Sequence, residues 1–287
     1  MESTRTVRPV HPAAPWIGGK RNLAKRLVEK IEAIPHTTYA EPFVGMGGVF
    51  FKRTQAPAAE IINDYSRDVA NLFRILQRHY IQFMETIRFQ ITTRAEFERL
   101  VAVAPDTLTD LERAARFLYL QRTAFGGKVS GRNFGVSVDR SARFDVTKLA
   151  PLLEDVHTRL SGVVIECLDF EAFIRRYDRP ATLFYLDPPY HGSETDYGAN
   201  LFSRDDFTRL ESLLRGLSGT FLMSINDTPE IREIFADFVI EEVKTTYSVG
   251  VKAGEKGGAA ELIISNLGKR KRRRKAAAGQ KARKPDG

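Results

Sequence analysis

The apolar run Thr182-Leu183-Phe184-Tyr185-Leu186 stops at Asp187-Pro188-Pro189-Tyr190, and no other feature restricts the fold as strongly. An apolar run of this length ended by a Pro-Pro breaker reads as a buried strand leading into a rigid loop. Pro188 fixes its own φ and biases Asp187 towards an extended backbone, and Pro189 repeats the restriction. The loop therefore presents a carboxylate, carbonyl acceptors that no helix consumes, and an aromatic ring in a stiff arrangement. Together these suit a flat ring bearing an amine, with acceptors for the exocyclic NH2 and a face for stacking.

The rest of the chain sets this loop in an α/β sheet. Leu23, Leu27, Val28 and Ile31 form a helical stripe after Gly18-Gly19, whereas residues 1–14 read as irregular. Tyr39 to Val44 reads as a strand, followed by Gly45-Met46-Gly47-Gly48 and a helix through Phe51. Ala59 to Ile62 reads as a second strand ending at Asn63-Asp64, the opening of a nucleotide-type α/β unit. Val69, Leu72, Phe73, Leu76, Tyr80, Phe83, Met84 and Ile87 repeat at helical spacing. Thr109 with Glu112 forms a capping box for a helix through about Leu120. Residues 126–143 change character, with several glycines, alternating Val136 and Val138, and the bases Lys128, Arg132, Arg140 and Arg143. We expect a basic hairpin or loop there. Strands at 163–167, 182–186, 220–225, 238–243 and 260–265 then alternate with helices near 205–217 and 229–235. The expected organisation is a single sheet domain (1–67 and 151–268) interrupted by a lobe (68–150) and followed by a disordered tail (269–287).

Charge and cysteine usage exclude several classes. The net charge of +8 comes from the tail, because residues 269–287 carry ten Lys/Arg against Asp286 alone and the remainder holds 34 bases and 35 acids. The basic balance is thus a property of a like-charge block that attracts polyanions or simply solubilises the chain, and not of the fold. No run approaches the ~20 apolar residues of a membrane span, and no signal peptide opens the chain. Cys167, the one cysteine, is expected as a small buried residue of a core strand, which fits a reducing, cytoplasmic setting. The five histidines show no metal-ligand spacing, so no metal site is expected.

Glu41-Pro42-Phe43-Val44-Gly45-Met46-Gly47-Gly48 places small residues where the first strand turns, so a ligand can approach the backbone closely. No Gly-Lys-Ser/Thr follows, which argues against an NTPase, and the glycines do not complete a dinucleotide fingerprint. Glu41 would repel a pyrophosphate but could accept hydrogen bonds from an ammonium group. That favours a cofactor bearing an amino acid. Asp64, at the end of the next strand, suits ribose hydroxyls or, equally, a helix cap.

Pro15-Trp16-Ile17-Gly18-Gly19-Lys20, Glu41-Pro42-Phe43-Val44-Gly45-Met46-Gly47 and Asp187-Pro188-Pro189-Tyr190 occur in the order found in the Dam-type (class alpha, DPPY) DNA adenine-N6 methyltransferases, which this chain resembles over residues 14–266. The resemblance extends to 163–170, 221–227 and Glu261-Leu262-Ile263-Ile264-Ser265-Asn266. It implies an α/β fold with a Rossmann-like S-adenosylmethionine-dependent methyltransferase sheet, an antiparallel strand near its C-terminal end, and an inserted, mainly helical target-recognition lobe. It also implies S-adenosyl-L-methionine as methyl donor. By resemblance, Trp16 and Lys20 line the cofactor site, Glu41, Phe43 and Gly45 lie near the methionine end, Asp64 binds the ribose, and Asp169 with Phe170 meets the adenine moiety. Asp187 belongs to both sites. Pro188 supplies a carbonyl acceptor, Pro189 stiffness, and Tyr190 a stacking surface for a base flipped out of duplex DNA.

A sulfonium methyl is already activated, so in-line attack by the adenine amine needs positioning rather than a covalent intermediate or a metal. Because stacking uses the ring alone, Tyr190→Phe is expected to be mild. Arg122, Lys128, Arg132, Asn133 and Arg140 in the lobe are candidate contacts to phosphates and base edges, or else solvated loop residues. The expected partner is double-stranded DNA, met by a monomer in a bacterial or phage-infected cytoplasm, with or without a cognate restriction enzyme. Cytosine-N4 methylation of DNA remains open at this point, although those enzymes often carry Ser at position 187. RNA adenine methylation and a non-catalytic nucleic-acid-binding role also remain open. A protein-glutamine methyltransferase is expected to carry Asn there and ranks low.

Overall fold

A computed structural model describes residues 4–20, 23–135, 139, 141–194, 201–245 and 259–268. Val136, Val138, Arg140 and the basic tail 269–287 lie outside the described residues. In chain order the elements are β1 (Arg5–Thr6), α1 (Ala24–Glu32), β2 (Thr38–Glu41), β3 (Gln55–Ala56), β4 (Ala59–Asn63), α2 (Arg67–Arg78), α3 (Tyr80–Ile87), α4 (Arg94–Ala102), α5 (Asp110–Thr123) and α6 (Val146–Leu160). There follow β5 (Val164–Glu166), α7 (Phe170–Tyr177), β6 (Thr182–Leu186), α8 (Asp205–Arg215), β7 (Thr220–Asn226), α9 (Pro229–Ile234), β8 (Val239–Thr245) and β9 (Ala259–Ser265).

Seven strands form one sheet in the order β5-β4-β2-β6-β7-β9-β8. All pairings from β5 to β7 are parallel, and β9 runs antiparallel between β7 and β8. This is a mostly parallel α/β sheet with the expected antiparallel strand near its C-terminal end. Alternation along each strand sends side chains to two cores. Tyr39, Ile62, Leu183, Tyr185 and Ile263 meet α1, α2 and α6 on one face, whereas Ala40, Ile61, Phe184, Leu186 and Ile264 meet α7, α8 and α9 on the other. The helical insert between β4 and β5 continues the first core, with Phe83, Phe97, Phe117 and Leu120 buried in the same cluster as Leu27 and Tyr39.

The capping box that opens α5 forms as expected, with Thr109 and Glu112 each bonding the other's backbone N–H. Four expectations change. The helix foreseen after the glycine turn is reduced to turns and a single 3₁₀ turn at Phe50–Lys52. Gly45 and Gly47 take φ of 50° and 72°, left-handed values that a right-handed helix cannot contain. The periodic stretch from Val69 to Ile87 is two helices, parted at His79 by its non-helical backbone. Residues 5–6, read as irregular, pair with β3. Cys167 is exposed and not buried, because β5 is short, ends at Glu166 and forms the sheet edge. Among the described residues no helix is long and apolar enough to cross a membrane.

Candidate active site

In an open α/β sheet a crevice forms beyond the carboxyl ends of strands at the point where strand order reverses. Here that point lies between β2 and β6, which pair in parallel although β4 and β5 lie on the other side of β2. The loops leaving these strands carry Glu41 to Gly45, Asp187 to Tyr190, Asn63-Asp64 and Asp169-Phe170. They enclose a cleft with about 590 Å³ of empty space, part of it open to solvent. Trp16, Phe43, Gly45, Asp64, Asp169, Phe170, Asp187 and Pro189 are among the residues that line it. Lys20 and Glu41 lie buried beneath.

The cleft depends on how the three loops are tied. Asn63 donates to the carbonyls of Pro42 (2.9 Å) and Leu168 (3.0 Å) and accepts from Leu168 N (2.8 Å), joining the ends of β2, β4 and β5. Asp64 accepts from the backbone N–H of Gly45 and of Ser66, both at 2.9 Å. It therefore serves the glycine turn as well as the start of α2, whose N-cap is Ser66. Gly45 has no room for a side chain, since a β-carbon there would lie 2.6 Å from Trp16 Nε1. Phe43 packs with Phe170 and Phe202 at centroid distances of 5.6 and 5.8 Å, forming an aromatic part of the cleft wall. Asp169 caps α7 through Glu171 N (2.9 Å) and pairs with Arg209 at 2.5 Å, while Arg209 also lies 4.1 Å from the Phe170 ring.

Electrostatically the site is a set of carboxyls held out of water. Burial pushes the Glu41 carboxyl up to about 8, against the bond it accepts from Tyr39 Oη at 2.7 Å, and Asp187 adds repulsion. Burial likewise pushes Asp64 up to about 6, opposed by its two backbone donors. Asp187 also reaches about 6, raised by burial, lowered by Lys20 and raised again by Glu261. Lys20 Nζ lies 2.9 Å from Asp187 Oδ1, and its side chain is 1% exposed against 24% for Asp187. It also donates to Tyr190 Oη at 2.7 Å. Tyr190 Oη in turn donates to Glu261 Oε1. Three carboxyls that resist ionisation and one shared ammonium make the cleft receptive to a cationic ligand.

A family profile for D12 class N6 adenine-specific DNA methyltransferases matches residues 16–249. The chain belongs to this family. It is 28% identical over 278 residues to the type II methyltransferase M1.LlaDCHI of Lactococcus lactis subsp. cremoris, an alignment covering 90% of this chain and 96% of that protein. It is 24% identical over 261 residues to the type II methyltransferase M.CviBI of Paramecium bursaria Chlorella virus NC1A, covering 89% and 99%. It is 26% identical over 266 residues to the Retron Ec67 DNA adenine methylase of Escherichia coli, covering 86% and 88%. The chain is a DNA adenine-N6 methyltransferase. That closes the cytosine, RNA and non-catalytic readings left open above.

In this D12 methyltransferase, of the residues expected to meet DNA, Arg122 lies near the end of α5, Lys128, Arg132 and Asn133 lie in the segment after it, and Arg140 lies outside the described residues. Arg122 is tied to the protein itself, donating to the carbonyls of Ala13 (2.7 Å) and Arg143 (3.0 Å). It joins the segment before Trp16 to the insert. Arg132 donates to Lys128 O at 3.2 Å, and burial together with Arg116 lowers its guanidinium to about 10. Lys128 and Asn133 are exposed, and the Asn133 carbonyl accepts from Phe125 N to close a short hairpin. Among the described candidates, Lys128 and Asn133 are thus the exposed ones.

Residues that sequence reasoning missed include Asn63, Ser224, Asn226 and Glu261. Asn226 clasps the backbone of His191 at 2.9 and 3.0 Å, fixing the chain just past Tyr190. An asparagine at the last position of a strand, as at Asn63 and Asn226, is the signal that could have found two of them. Tyr190 also differs from the ring-only expectation, since its hydroxyl is engaged at both ends.

Proposed function

We propose that the cleft binds S-adenosyl-L-methionine and that Asp187, Pro188 and Tyr190 receive an adenine flipped out of duplex DNA. The observation that carries this reading is the Asp187 carboxylate, held at the topological switch point by Lys20 and next to a cleft of buried carboxyls. The bound cofactor supplies a methyl group already activated on a sulfonium. A cradle that a β-carbon on Gly45 would fill, an aromatic pair of Phe43 and Phe170, and the carboxyls of Glu41, Asp64 and Asp187 fit a ligand that carries positive charge, a sugar and a purine. Trp16 and Gly45 shape the wall, Glu41 meets the ammonium end, Asp64 offers its remaining lone pairs to ribose hydroxyls, and Asp169-Phe170 flanks the adenine.

On the DNA side, the Asp187 carboxylate and the Pro188 carbonyl accept the two N–H bonds of the target amine. Drawing those hydrogens into one region makes the nitrogen more pyramidal and returns its lone pair from the ring to the attacking direction. Tyr190 covers one face of the base. The insert at 68–150 reads the target, with Lys128, Asn133 and, outside the described residues, Arg140 as contacts. We place the activity in a cytoplasm, in a monomer, with the tail 269–287 adding sequence-independent attraction to phosphates. Deleting the tail is expected to flatten the dependence of DNA affinity on salt while leaving the methylated sequence unchanged; an unaltered slope in a salt titration counts against that role.

The cofactor assignment has its own test. Gly45→Ala must adopt a left-handed backbone and displace the Trp16 indole, a strain of about 1–2 kcal/mol. Spent as lost affinity, that is roughly a tenfold weaker Kd for S-adenosylmethionine. Calorimetry on both proteins checks it, and equal affinities would remove Gly45 and Trp16 from the site.

A further inference from the structure

Glu261 lies on β9, opposite Asn226 of β7 and Val243 of β8, and so at the same end of the sheet as Asp187. Its side chain is 1% exposed. A carboxylate is costly to bury, and an apolar residue on this strand would pack without that cost. Its two oxygens do different things. Oε1 accepts from Tyr190 Oη, whereas Oε2 has no hydrogen-bond partner and faces Lys20 Nζ at 3.7 Å. Lys20 donates to Tyr190 Oη, which has a single hydrogen of its own and gives it to Glu261. The directions of both hydrogen bonds to Tyr190 Oη are therefore fixed, and with them the Tyr190 side chain, whose ring centroid lies 4.1 Å from Lys20 Nζ.

We infer that Glu261 is a positioning residue for methyl transfer: it orients Tyr190 through the hydroxyl and takes a share of the Lys20 charge, so that Asp187 keeps a basic oxygen for the target amine. The inference rests on the reading of Asp187 and Tyr190 given above. Among the described residues, Asp187 meets Lys20 Nζ (2.9 Å) and Ser224 Oγ (3.3 Å) through Oδ1 only, which leaves Oδ2 as the substrate acceptor. Were Lys20 paired with Asp187 alone, the ammonium would draw electron density from that acceptor. With Glu261 opposite, one cation stands between two carboxylates. The groups facing Asp187 are Lys20 from the loop before α1, Glu261 from β9, Ser224 from β7, Tyr185 from β6, Glu41 from the end of β2, and Tyr190 of its own loop. Of these, Lys20 favours the Asp187 carboxylate and Glu261 opposes it. Removing the Glu261 charge therefore lets Lys20 act unopposed, and Asp187 ionises at lower pH.

The experiment compares E261Q, Y190F and the double variant with the wild-type full chain, using S-adenosylmethionine and duplex DNA. E261Q keeps the shape and one acceptor but loses the charge. It is expected to lower kcat by about tenfold or more, as misplaced reacting groups do. S-adenosylmethionine affinity should stay within about twofold, and the acid limb of kcat/KM should move to lower pH, a shift that a merely structural role would not produce. Y190F is expected to raise KM for DNA, and the double variant to lose less than the product of the two single losses, because both break one circuit. Wild-type kcat with an unmoved acid limb in E261Q, or losses that multiply in the double variant, overturns the inference. If E261Q fails to fold, Y190F decides: unchanged KM for DNA rejects the circuit. Asp187→Ala run alongside separates the two levels, since an active Asp187→Ala sinks the underlying reading, whereas an inactive one beside an unaffected E261Q sinks the Glu261 role alone.

Discussion

Asp187→Ala lowers kcat for methyl transfer by about 10³-fold or more, the scale on which a preorganised group at a reacting centre contributes. The carboxylate is the one acceptor in the loop that carries charge, and Pro188 can offer only a carbonyl. The fold survives the change for a reason visible in the cluster. Without Asp187, Lys20 still faces Glu261 at 3.7 Å, one cation to one anion, so no uncompensated charge is left buried. Circular dichroism and the melting temperature should therefore match wild type within a few degrees. The pH profile reports the same group. Burial holds the Asp187 carboxyl at about 6 in spite of Lys20, so kcat/KM for the wild-type enzyme should fall as pH drops through about 6. A flat profile between pH 5 and 8 would remove the ionised carboxylate from the reaction.

Lys20→Met acts in the opposite way, on stability. It removes the ammonium that stands between two carboxylates whose side chains are 24% and 1% exposed, and leaves neither paired with a cation among the described residues. Breaking a buried ion pair by deleting one partner costs about 3–5 kcal/mol, which at this size lowers the melting temperature by roughly 10 °C. The sign of the pH dependence follows from Asp187. Lys20 lowers its pKa, so the variant carries an Asp187 carboxyl raised still further above its unfolded value. A carboxyl raised in the folded state binds protons more readily there than in the unfolded chain. Stability in the variant therefore falls as pH rises through that window and recovers at lower pH. Thermal melts at pH 5.5 and pH 8 test this: the deficit should be larger at pH 8. Equal deficits at both values would mean that the cost comes from packing and not from charge.

The contrast between these two variants also shows which parts of the site local sequence encodes. Thr182 to Leu186 followed by Asp187-Pro188-Pro189 was readable because a fully buried central strand needs an unbroken apolar run and the two prolines end it. The α5 capping box was readable because it lies within four residues. The glycine turn misleads for a local reason: glycines at 45 and 47 fit either a turn into a helix or a turn that prevents one, and the Trp16 side chain packed against Gly45 lies 29 residues away in sequence. α4, α6 and α7 are not legible from the sequence, since Pro151 interrupts the pattern of α6 and the short α7 is hidden beside the strand before it. Cys167 looks buried from a sequence in which its strand extends to 167 inside the sheet, whereas the order β5-β4-β2 puts it at the rim. Glu261 was unreadable as a site residue. Nothing in Ala259 to Ser265 says that the next side chain over belongs to Tyr190 and Lys20, 71 and 241 residues away in sequence; the antiparallel register of β9 against β7 alone decides it.

The central claim is that this cleft transfers a methyl group to N6 of adenine in DNA through Asp187. The most direct measurement incubates the full chain with duplex DNA and S-adenosylmethionine carrying an isotopically labelled methyl group, digests the DNA to nucleosides and identifies the labelled product by mass spectrometry. Labelled N6-methyldeoxyadenosine is expected from the wild-type protein and none above background from Asp187→Ala. Labelled N4-methyldeoxycytidine, or N6-methyldeoxyadenosine formed equally well by Asp187→Ala, would contradict it.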